Sequence, residues 1–495
     1  MTSGSGTLVV AVDLGATSGR VILARVSGGE SPVLEFEEVA RFPNEPVQRE
    51  DGLHWDIAAL REAVFNGLTD ARAAAERAGE RIASIGIDSW AVDYGVLHDG
   101  SLVAEPFHYR DSRTARGVER VHAIVPFEEL YARNGLQFLP FNTVYQFAVD
   151  PLVNAYADTG IRASDGRGDG ILLVPDLFAY WLTGVRAAEE TNASTTGLVP
   201  AASREPRWDA ELAERVGVPT GILPPLVRPG DVIGTLSAEA AERTGLPRST
   251  PVVAVGSHDT ASAVVGTPLE AEGAVFVSCG TWGLVGVESP TPVLTADARD
   301  SGFTNERGVD GTTRLLHNVM GLWVLNECVR AWRDGDPGSS AELAEMLNAA
   351  SASDVPFTIF DIDDPRLLPP GDMPARVEEL CREAGGPAPG STPEFVRSIV
   401  ESLADAFARA ATQASSLAGS PLASINIVGG GARNALLCQA TADRAGVPVI
   451  AGPVEATAIG NVLVQARAAG AITGGLAELR ALVTATQPTI RYKPR

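Results

Sequence analysis

The sequence has little cysteine and little basic charge. Its four cysteines, at positions 279, 328, 381 and 438 of 495, lie far apart and form no CxxC pair. This spacing offers neither a zinc knuckle nor a disulfide framework, and it suits a reducing cytoplasm. Lysine and arginine number 39 against 62 aspartates and glutamates, so the net charge is −23. Because an acidic surface disfavours phosphate backbones and anionic membranes, we expect no nucleic-acid or membrane partner.

Long apolar runs are missing as well. The first residues, MTSGSGTLVVAVDLG, contain no positive charge, and Asp13 interrupts their apolar run too early for a secretory signal. No stretch reaches the roughly 18 apolar residues of a spanning helix. The pattern therefore predicts a soluble cytoplasmic protein, and a chain of 495 residues predicts two or more domains.

The N-terminal part predicts a hairpin followed by a helix. LVVAV at 8–12 is a continuous apolar run, which is typical of a strand buried on both faces. DLGATSG then indicates a tight turn, and RVILARV at 20–26 predicts the returning strand. Asp56 predicts the N-cap of a helix, whose apolar face is formed by Ile57, Leu60, Val64 and Leu68.

The next segments are less regular. RIASIGIDSWAVDYGVL at 81–97 predicts one further buried strand, which carries Asp88 and Asp93. Residues 98–250 contain several prolines and only local patterns, so we expect irregular insertions that decorate the first domain.

A second half begins at Pro251. PVVAV at 251–255 predicts a new buried strand, and AVFVSCGTWGLVGVE at 274–288 predicts a second hairpin over Gly-Thr. Helices are expected around 395–417 and over 457–469, with a strand over 424–428. The alternation of strands and helices indicates α/β domains. We place the boundary near residue 250, which gives domains of residues 1–250 and 251–495.

The turn DLGATSGR at 13–20 is a candidate phosphate loop. Small residues let backbone N–H groups approach an anion, and Thr17 and Ser18 add hydroxyl donors. Asp13 would repel a bare phosphate, which favours Mg²⁺ between the two. An ordinary hairpin turn, with Asp13 bonded to its own backbone, is an equally good interpretation. The turn matches neither GxxxxGK[ST] nor GxGxxG.

Two later turns have a similar composition. SCGTWG at 278–283 offers the Thr281 hydroxyl, although a plain glycine turn is the default interpretation. Three consecutive glycines in IVGGGARN at 427–434 favour close approach of a ligand to the backbone, and a sharp turn without ligand is the alternative. The three turns together predict a nucleotide held in a cleft between domains.

Asp259 interrupts the apolar stretch VVAVGSHDTASAVV at 252–265. At a predicted strand end, between His258 and Thr260, it is a candidate general base for a substrate hydroxyl. The alternative is a structural aspartate that accepts backbone N–H groups, with His258 as an interior histidine. No serine elbow or cysteine–histidine signature accompanies it, so covalent catalysis has little support.

Trp90 lies between Asp88 and Asp93. Its ring is either an apolar face for a sugar or a core side chain, and for Asp93 we favour a structural role. In HNVMGLWVLNECVR at 317–330 we expect Asn318 and Asn326 on one helix, with one asparagine facing a ligand.

Together these segments resemble the FGGY carbohydrate kinases from about residue 8 to 470. The resemblance rests on AVDLGATSGRVILAR, SIGIDSWAVDY, YRDSRT, GLQFLPFNTVYQ, PDLFAYWLTG, TNASTTGLV, VGSHDTASAVV, SCGTWGLVG, NVMGLW and IVGGGARNALL. FLPFNT and SHDTASAVV are more specific than the glycine loops. The resemblance implies an α/β fold of two actin-like, ribonuclease-H-like domains with an active-site cleft between them.

The resemblance also implies roles for individual residues. Asp259 becomes the catalytic base, and Asp13 lies near Mg²⁺. The implied ATP contacts are Ala16, Thr17, Ser18, Gly19, Arg20, Thr281, Asn326, Gly430 and Gly431. The implied sugar contacts are Ala91, His258, Asp259, Thr260 and Asn318.

Two positions depart from the family pattern. Ala91 stands where the members most similar to this chain, which act on L-rhamnulose, have a glycine against the sugar, and the added methyl narrows the pocket. Asn326 stands where the pattern has a glutamine that meets ATP, and it is one methylene shorter.

The expected activity is transfer of the γ-phosphoryl group of ATP to the primary hydroxyl of a ketose, L-rhamnulose, with Mg²⁺ as cofactor. The partners are then the sugar and ATP, and the protein is a monomer or a homodimer. One alternative is a kinase for fuculose, xylulose or ribulose. The other is a nucleotide-driven binding protein of the actin-like fold, which would not need His258, Asp259 and Asn318 to converge on a sugar.

Overall fold

The computed structural model describes residues 6–159, 169–269, 272–336, 338–352 and 354–495. The chain forms two compact units, which we call the first and second units. The first comprises Met1–Pro268, Glu288–Arg314 and Ala456–Gln487, and the second comprises Leu269–Val287, Leu315–Glu455 and Pro488–Arg495. The chain therefore leaves the first unit and returns to it. The domain boundary near residue 250, which separates the predicted domains of residues 1–250 and 251–495, stays a prediction.

The first unit is built on a six-stranded mixed sheet. Its strands lie in the order Val232–Thr235, Pro251–Val253, Ile82–Ser89, Thr7–Leu14, Ser18–Ser27 and Val33–Pro43. Thr7–Leu14 is antiparallel to Ser18–Ser27 and parallel to Ile82–Ser89. The predicted first hairpin is thus confirmed, and we use "first hairpin" for Thr7–Leu14 and Ser18–Ser27.

The apolar run of the first strand is explained by burial on both faces. Val10 and Val12 belong to the core that packs with the helix Ile57–Arg77. Val9 and Ala11, on the opposite face, pack with the helix Ala456–Ala468. The side chain of Asp56 accepts the Ala59 N–H at 3.0 Å, which confirms the predicted N-cap.

The helix Ala456–Ala468, here called the closing helix, is fixed to the sheet by amides. Gln465 accepts from the Ser84 hydroxyl at 2.7 Å and donates to the Val10 carbonyl at 3.0 Å. A Cβ at Gly86 would lie 2.6 Å from the side chains of Asn461 and Gln465. Glycine at this strand position therefore allows the helix to approach closely.

The prediction of one strand over 81–97 is wrong. Ile82–Ser89 and Tyr94–His98 are separate strands, and the second pairs with Gly170–Leu173 in another sheet. Val92, in the turn between them, has φ of +70°. This left-handed conformation breaks the extended backbone, and it is rare for a β-branched residue.

The prediction that residues 98–250 are irregular is also wrong for the described part of that segment. It contains the helices Thr114–Ile124, Phe127–Asn134, Thr143–Phe147, Pro151–Thr159, Val174–Thr183, Glu190–Ala193, Ala210–Arg215 and Ala238–Thr244. Several of these helices contribute to a buried apolar cluster that includes Tyr145, Phe147 and Leu212. The segment is a packed part of the first unit because its short helices share that core.

The second unit has its own mixed sheet. Its strands follow the order Thr313–Val319, Gly283–Ser289, Ala274–Cys279, Ser424–Val428, Val449–Ala451 and Ile490–Tyr492. Ala274–Cys279 and Gly283–Ser289 form the predicted second hairpin, which is confirmed. The helices around this sheet are Trp323–Trp332, Ser340–Ala350, Met373–Glu383, Thr392–Ala418 and Ala435–Ala445. The expected helix around 395–417 and strand over 424–428 are among these elements.

The remaining elements are short. The other strands are Pro46–Gln48, Leu53–Trp55, Ser101–Leu102, Ala188–Glu189, Leu226–Val227 and Thr304–Arg307. The other helices are Asp259–Val265, Ala296–Asp300 and Leu476–Thr486, with 3₁₀ turns at Ser194–Thr196, Thr220–Ile222, Val309–Gly311, Pro365–Leu367 and Gly430–Arg433. Among the described helices, none is long and apolar enough to cross a membrane.

Candidate active site

The first unit gathers three carboxylates. Asp13 and Asp88 are register partners at the ends of two parallel strands. Both are buried. Burial is the main cause that raises the pKa of Asp88 and of Asp259, and the charge of Asp13 adds to both rises. We call Asp13, Asp88 and Asp259 the acidic cluster. The cluster joins two predicted site residues to Asp88, for which the sequence indicated no definite role.

Asp88 is the most deeply buried member of the acidic cluster. Burial first, and then the charge of Asp13, raises its pKa well above the ordinary range. Asn461 of the closing helix donates to its Oδ2 at 2.6 Å. Its Oδ1 is buried and has no hydrogen-bond partner within the described residues. A bound ion is one explanation for an unpartnered buried carboxylate oxygen.

Asp13 is paired with Arg20 across the first hairpin. The Arg20 guanidinium donates to Asp13 Oδ2 through Nε at 2.9 Å and through Nη2 at 2.6 Å. The sequence assigned Arg20 to the phosphate loop and Asp13 to the metal. The structure shows that the two side chains also bind each other.

The turn of the first hairpin is held by its neighbours. Gly15 N–H donates to the Ser18 carbonyl at 2.9 Å, and the side chain of Asn44 donates to the Gly15 carbonyl at 2.8 Å. A Cβ at Gly19 would lie 2.2 Å from the Phe42 ring. Thr17 is exposed at the tip. The turn is thus rigid at its base and open at Thr17.

The prediction that Asp259 lies at a strand end is wrong. The strand Pro251–Val253 stops earlier, and Asp259 begins the helix Asp259–Val265 with His258 as N-cap. The hydroxyl of Thr260 donates to Asp259 Oδ1 at 3.1 Å. A short apolar run such as ASAVV does not distinguish a strand from a buried helix, which explains the error.

Asp259 combines an altered pKa with access to solvent. Its side chain keeps 31% of its exposure, whereas that of His258 keeps 8%. Burial raises the pKa of Asp259, His258 opposes this rise, and Asp13 adds to it. A reachable carboxyl with a raised pKa has the properties of a general base.

Three buried charged residues near His258 were not predicted from the sequence. Glu306 Oε2 and Arg314 Nη2 lie 3.0 and 3.2 Å from His258 Nδ1. Glu189 Oε2 accepts from the N–H and the hydroxyl of Ser257, at 2.9 and 2.8 Å. These contacts span from 48 to 68 positions of the chain, and no local pattern marks them.

The turn that carries Ala91 packs on buried aromatic side chains. Trp90 is buried against Trp55, with ring centroids 4.1 Å apart, and its Nε1 donates to Asp93. Asp93 also accepts from Trp55 Nε1 and from the Tyr109 N–H. Trp90 is therefore a core side chain and Asp93 a structural acid, whereas Ala91 is half-buried.

In the second unit, the predicted placement of Asn318 in a helix is wrong. Asn318 belongs to the strand Thr313–Val319, and the helix begins at Trp323. The apolar sequence NVMGLW continues from the strand into the helix, so composition alone does not mark the boundary. The chain turns at Gly321, between the two elements. A Cβ there would lie 2.3 Å from the Trp282 backbone.

Asn326 is an exposed residue of the helix Trp323–Trp332 and lines a cavity of about 120 Å³. The cavity is also lined by Val329, Arg333, Gly338, Ser339, Glu342, Leu343 and Met346. Arg333 and Glu342 form an ion pair of 2.7 Å in its wall. The cavity offers both polar groups and apolar surface.

The three glycines at 429–431 differ from one another. Gly429 has φ of +77°, which glycine adopts readily. A Cβ at Gly431 would lie 2.4 Å from the Cys279 sulfur, so this glycine has a packing reason. Gly430 is exposed, with nothing nearer than 3.7 Å to such a Cβ. Gly430 is the position at which the backbone is open to a ligand.

The predicted site residues thus fall into two groups. Asp13, Arg20, His258, Asp259 and Thr260 belong to the first unit, where the acidic cluster lies. Thr281, Asn318, Asn326, Gly430 and Gly431 belong to the second unit. Their assigned roles stay predictions. No three His, Cys, Asp or Glu side chains are grouped as a metal site in the described ranges.

Comparison with known proteins agrees with this architecture. Residues 8–266 match the N-terminal domain of the FGGY family of carbohydrate kinases, and residues 275–469 match its C-terminal domain. The chain is 39% identical to a rhamnulokinase from Bacteroides thetaiotaomicron, over 98% of this chain and 95% of that protein. It is 40% identical to a rhamnulokinase from Pectobacterium carotovorum, over 98% and 93%.

Solved structures show the same fold. A xylulose kinase from Lactobacillus acidophilus has a TM-score of 0.74 at 17% identity, covering 99% of this chain and 94% of that one. A glycerol kinase from Plasmodium falciparum, solved with ADP, has a TM-score of 0.74 at 15% identity, covering 99% and 95%. The predicted α/β fold of two actin-like domains is confirmed, and the cleft stays a prediction. The chain belongs to the FGGY family of carbohydrate kinases.

Proposed function

We propose that the protein transfers the γ-phosphoryl group of ATP to the primary hydroxyl of L-rhamnulose. The observation that carries the chemistry is Asp259, a half-buried carboxyl with a raised pKa beside His258. The relatives named rhamnulokinase, similar over nearly their whole length, support the choice of sugar.

Asp259 accepts the proton of the attacking hydroxyl. The O–H bond breaks as the sugar oxygen forms its bond to phosphorus, and ADP leaves with the electrons of the broken O–P bond. His258 and Thr260 orient the carboxylate, and both are in contact with Asp259 in the first unit. Such positioned base catalysis contributes about 10²–10⁴-fold.

Two residues of the acidic cluster, Asp13 and Asp88, offer ligands suited to a magnesium ion. Carboxylate oxygens are the protein ligands that Mg²⁺ prefers, and Asp88 Oδ1 is buried without a partner among the described residues. Asp13 and Asp88 are therefore the residues that would hold it. When bound, the ion neutralises charge on the phosphoryl oxygens. Arg20, bound to Asp13, keeps that carboxylate in place.

ATP contacts are proposed for the turn of the first hairpin and for the second unit. Thr17 at the exposed tip and Arg20 support the first assignment. The open backbone at Gly430 and the cavity beside Asn326 support the second. We further propose that Asn318 and Ala91 meet the sugar.

The proposal is tested by ADP release with a panel of ketoses: L-rhamnulose, L-fuculose, xylulose and ribulose. We expect the highest kcat/KM with L-rhamnulose. A higher value with another ketose would change the substrate, and ADP release that no ketose stimulates would favour a binding protein. Ala91→Gly is the matched variant, because it widens the pocket by one methyl without altering a charged residue.

A further inference from the structure

His258 is held from two sides in the first unit. Its Nδ1 lies 3.0 Å from Glu306 Oε2 and 3.2 Å from Arg314 Nη2. Its Nε2 lies 3.5 Å from Asp259 Oδ1. The imidazole therefore stands between a buried ion pair and the proposed base.

Glu306 and Arg314 form this ion pair, with Oε2 and Nη2 3.0 Å apart. Arg314 is fully buried, and its Nε donates to the Arg307 carbonyl at 3.1 Å. Burying two charges is costly, so such a pair is weak evidence for stability alone. Its contact with His258 gives it a second role.

The hydrogen-bonding chemistry of the three side chains determines where the histidine proton lies. Arginine only donates, so a neutral His258 accepts from Arg314 at Nδ1 and carries its proton on Nε2. If the ring is charged, its Nδ1–H lies beside the Glu306 carboxylate, 3.0 Å away, and Nε2 is again protonated. The remaining tautomer would place the Nε2 lone pair against the carboxylate of Asp259, two acceptors facing each other. Every favourable arrangement thus directs Nε2–H at Asp259.

We propose that Glu306 and Arg314 are positioning residues, which act through His258 to fix the carboxylate of Asp259. Nε2–H then faces Asp259 Oδ1 across 3.5 Å, and the same oxygen accepts from the Thr260 hydroxyl at 3.1 Å. The hydroxyl proton of the substrate is accepted at Oδ2. This inference rests on the proposed function, because it presumes that Asp259 is the base.

The chain offers a matched control for this inference. Glu190 and Arg307 form another buried ion pair, with a distance of 2.6 Å, and Arg307 is the strand neighbour of Glu306. No hydrogen bond of this pair to His258 is observed in the described structure. Glu190→Gln therefore removes a similar buried charge without changing the partner of the imidazole.

Glu306→Gln is expected to lower kcat by about 10- to 100-fold, because base positioning contributes within the range of general-base catalysis. The KM for ATP stays within about twofold, and the melting temperature falls no more than in Glu190→Gln. Glu190→Gln keeps kcat near that of the unchanged protein. An equal loss of kcat in the two variants, or no loss in Glu306→Gln, would overturn the proposal.

A second measurement needs no variant that might fail to fold. The chain has six histidines, so ¹⁵N spectra of the imidazoles of the whole protein are simple. We expect the His258 resonances to show a proton on Nε2. A proton on Nδ1 alone would overturn the inference whether or not any ketose is phosphorylated. Absence of ketose phosphorylation in the unchanged protein would instead remove the proposed function.

Discussion

The first and second hairpins share one plan, a buried strand, a turn of small residues and a returning strand. In the first, the turn lies beside charge: Asp13 binds Arg20, and Asp88 is its register partner. In the second, the turn is formed by backbone contacts. The Trp323 N–H donates to the Thr281 carbonyl at 3.2 Å, and Gly321 packs against Trp282.

This difference teaches how one local motif serves two purposes. The turn of the first hairpin lies beside the carboxylates of Asp13 and Asp88, which are groups suited to chemistry. Neighbouring side chains, Arg20 and Asn461, donate hydrogen bonds to these carboxylates. The second turn depends on close backbone packing and offers a hydroxyl. Changes of charge should therefore disable the first region, and changes of volume should disable the second.

The largest effect is expected for Asp259→Asn. The amide cannot take the hydroxyl proton, so kcat should fall by about 10²–10⁴-fold while the Kd for ATP changes little. Single-turnover kinetics and ATP titration measure the two quantities. If the variant kept more than about a tenth of the original kcat, Asp259 would not be the base.

The second prediction concerns volume in the second unit. Gly321→Ala places a Cβ 2.3 Å from the Trp282 backbone, so the free energy of unfolding should fall by about 1–3 kcal/mol. Gly280→Ala is the control, because its Cβ meets nothing within 4 Å. Denaturant unfolding of the whole chain compares them. Equal stability of the two variants would contradict the backbone-packing account.

The third prediction concerns the hydroxyl of the second turn. Thr281→Val keeps the shape and removes one donor, so the KM for ATP should rise by about three- to tenfold, the worth of one hydrogen bond. Thr281→Ser restores the hydroxyl and should restore KM. A KM that is unchanged in the valine variant would remove Thr281 from the nucleotide contacts.

The smallest effect is a pH dependence that comes from charge in the first unit. Burial raises the pKa of Glu189 to about 7, so the folded protein holds this proton while the unfolded chain releases it near pH 4 to 5. Glu189 therefore contributes to the free energy of unfolding in full below that pH, and this contribution is lost as the pH rises through about 7.

The melting temperature should therefore contain a fall of a few degrees between pH 5 and pH 8 that is absent in Glu189→Gln. The glutamine variant is less stable at both pH values, because its NH2 group cannot accept where Glu189 accepts at both oxygens, from Thr191 N–H at Oε1 and from Ser257 at Oε2. The two proteins are compared by the change of melting temperature with pH and not by the melting temperature itself. The same slope in both proteins would assign the fall to other groups.

The fold could largely be predicted because its strands are apolar on both faces. Thr7–Leu14 and Ala274–Cys279 were found from composition alone, and Asp56 marked a helix start. Two errors, the single strand over 81–97 and the strand end at Asp259, have a common cause. In each case the chain changes direction inside a continuing apolar run, at Val92 and after Val253.

The candidate site could be predicted only where its residues lie within short sequence motifs. Asp259 and His258 are adjacent, so one short stretch revealed both. Glu306, Arg314 and Glu189 touch this stretch from distant parts of the chain, and a single sequence does not show such contacts. Asp88 was visible, but its burial and unpartnered oxygen were not.

The closing helix determines the order in which the molecule can be completed. The ribosome releases the first hairpin early, yet Val9 and Ala11 are covered by a helix that follows all of the second unit except Pro488–Arg495. Until Asn461 and Gln465 emerge, Asp88 and Ser84 lack their amide partners. The first sheet to be synthesised is therefore among the last to be finished. A nascent chain that stops before Ala456 would expose one face of that sheet to water.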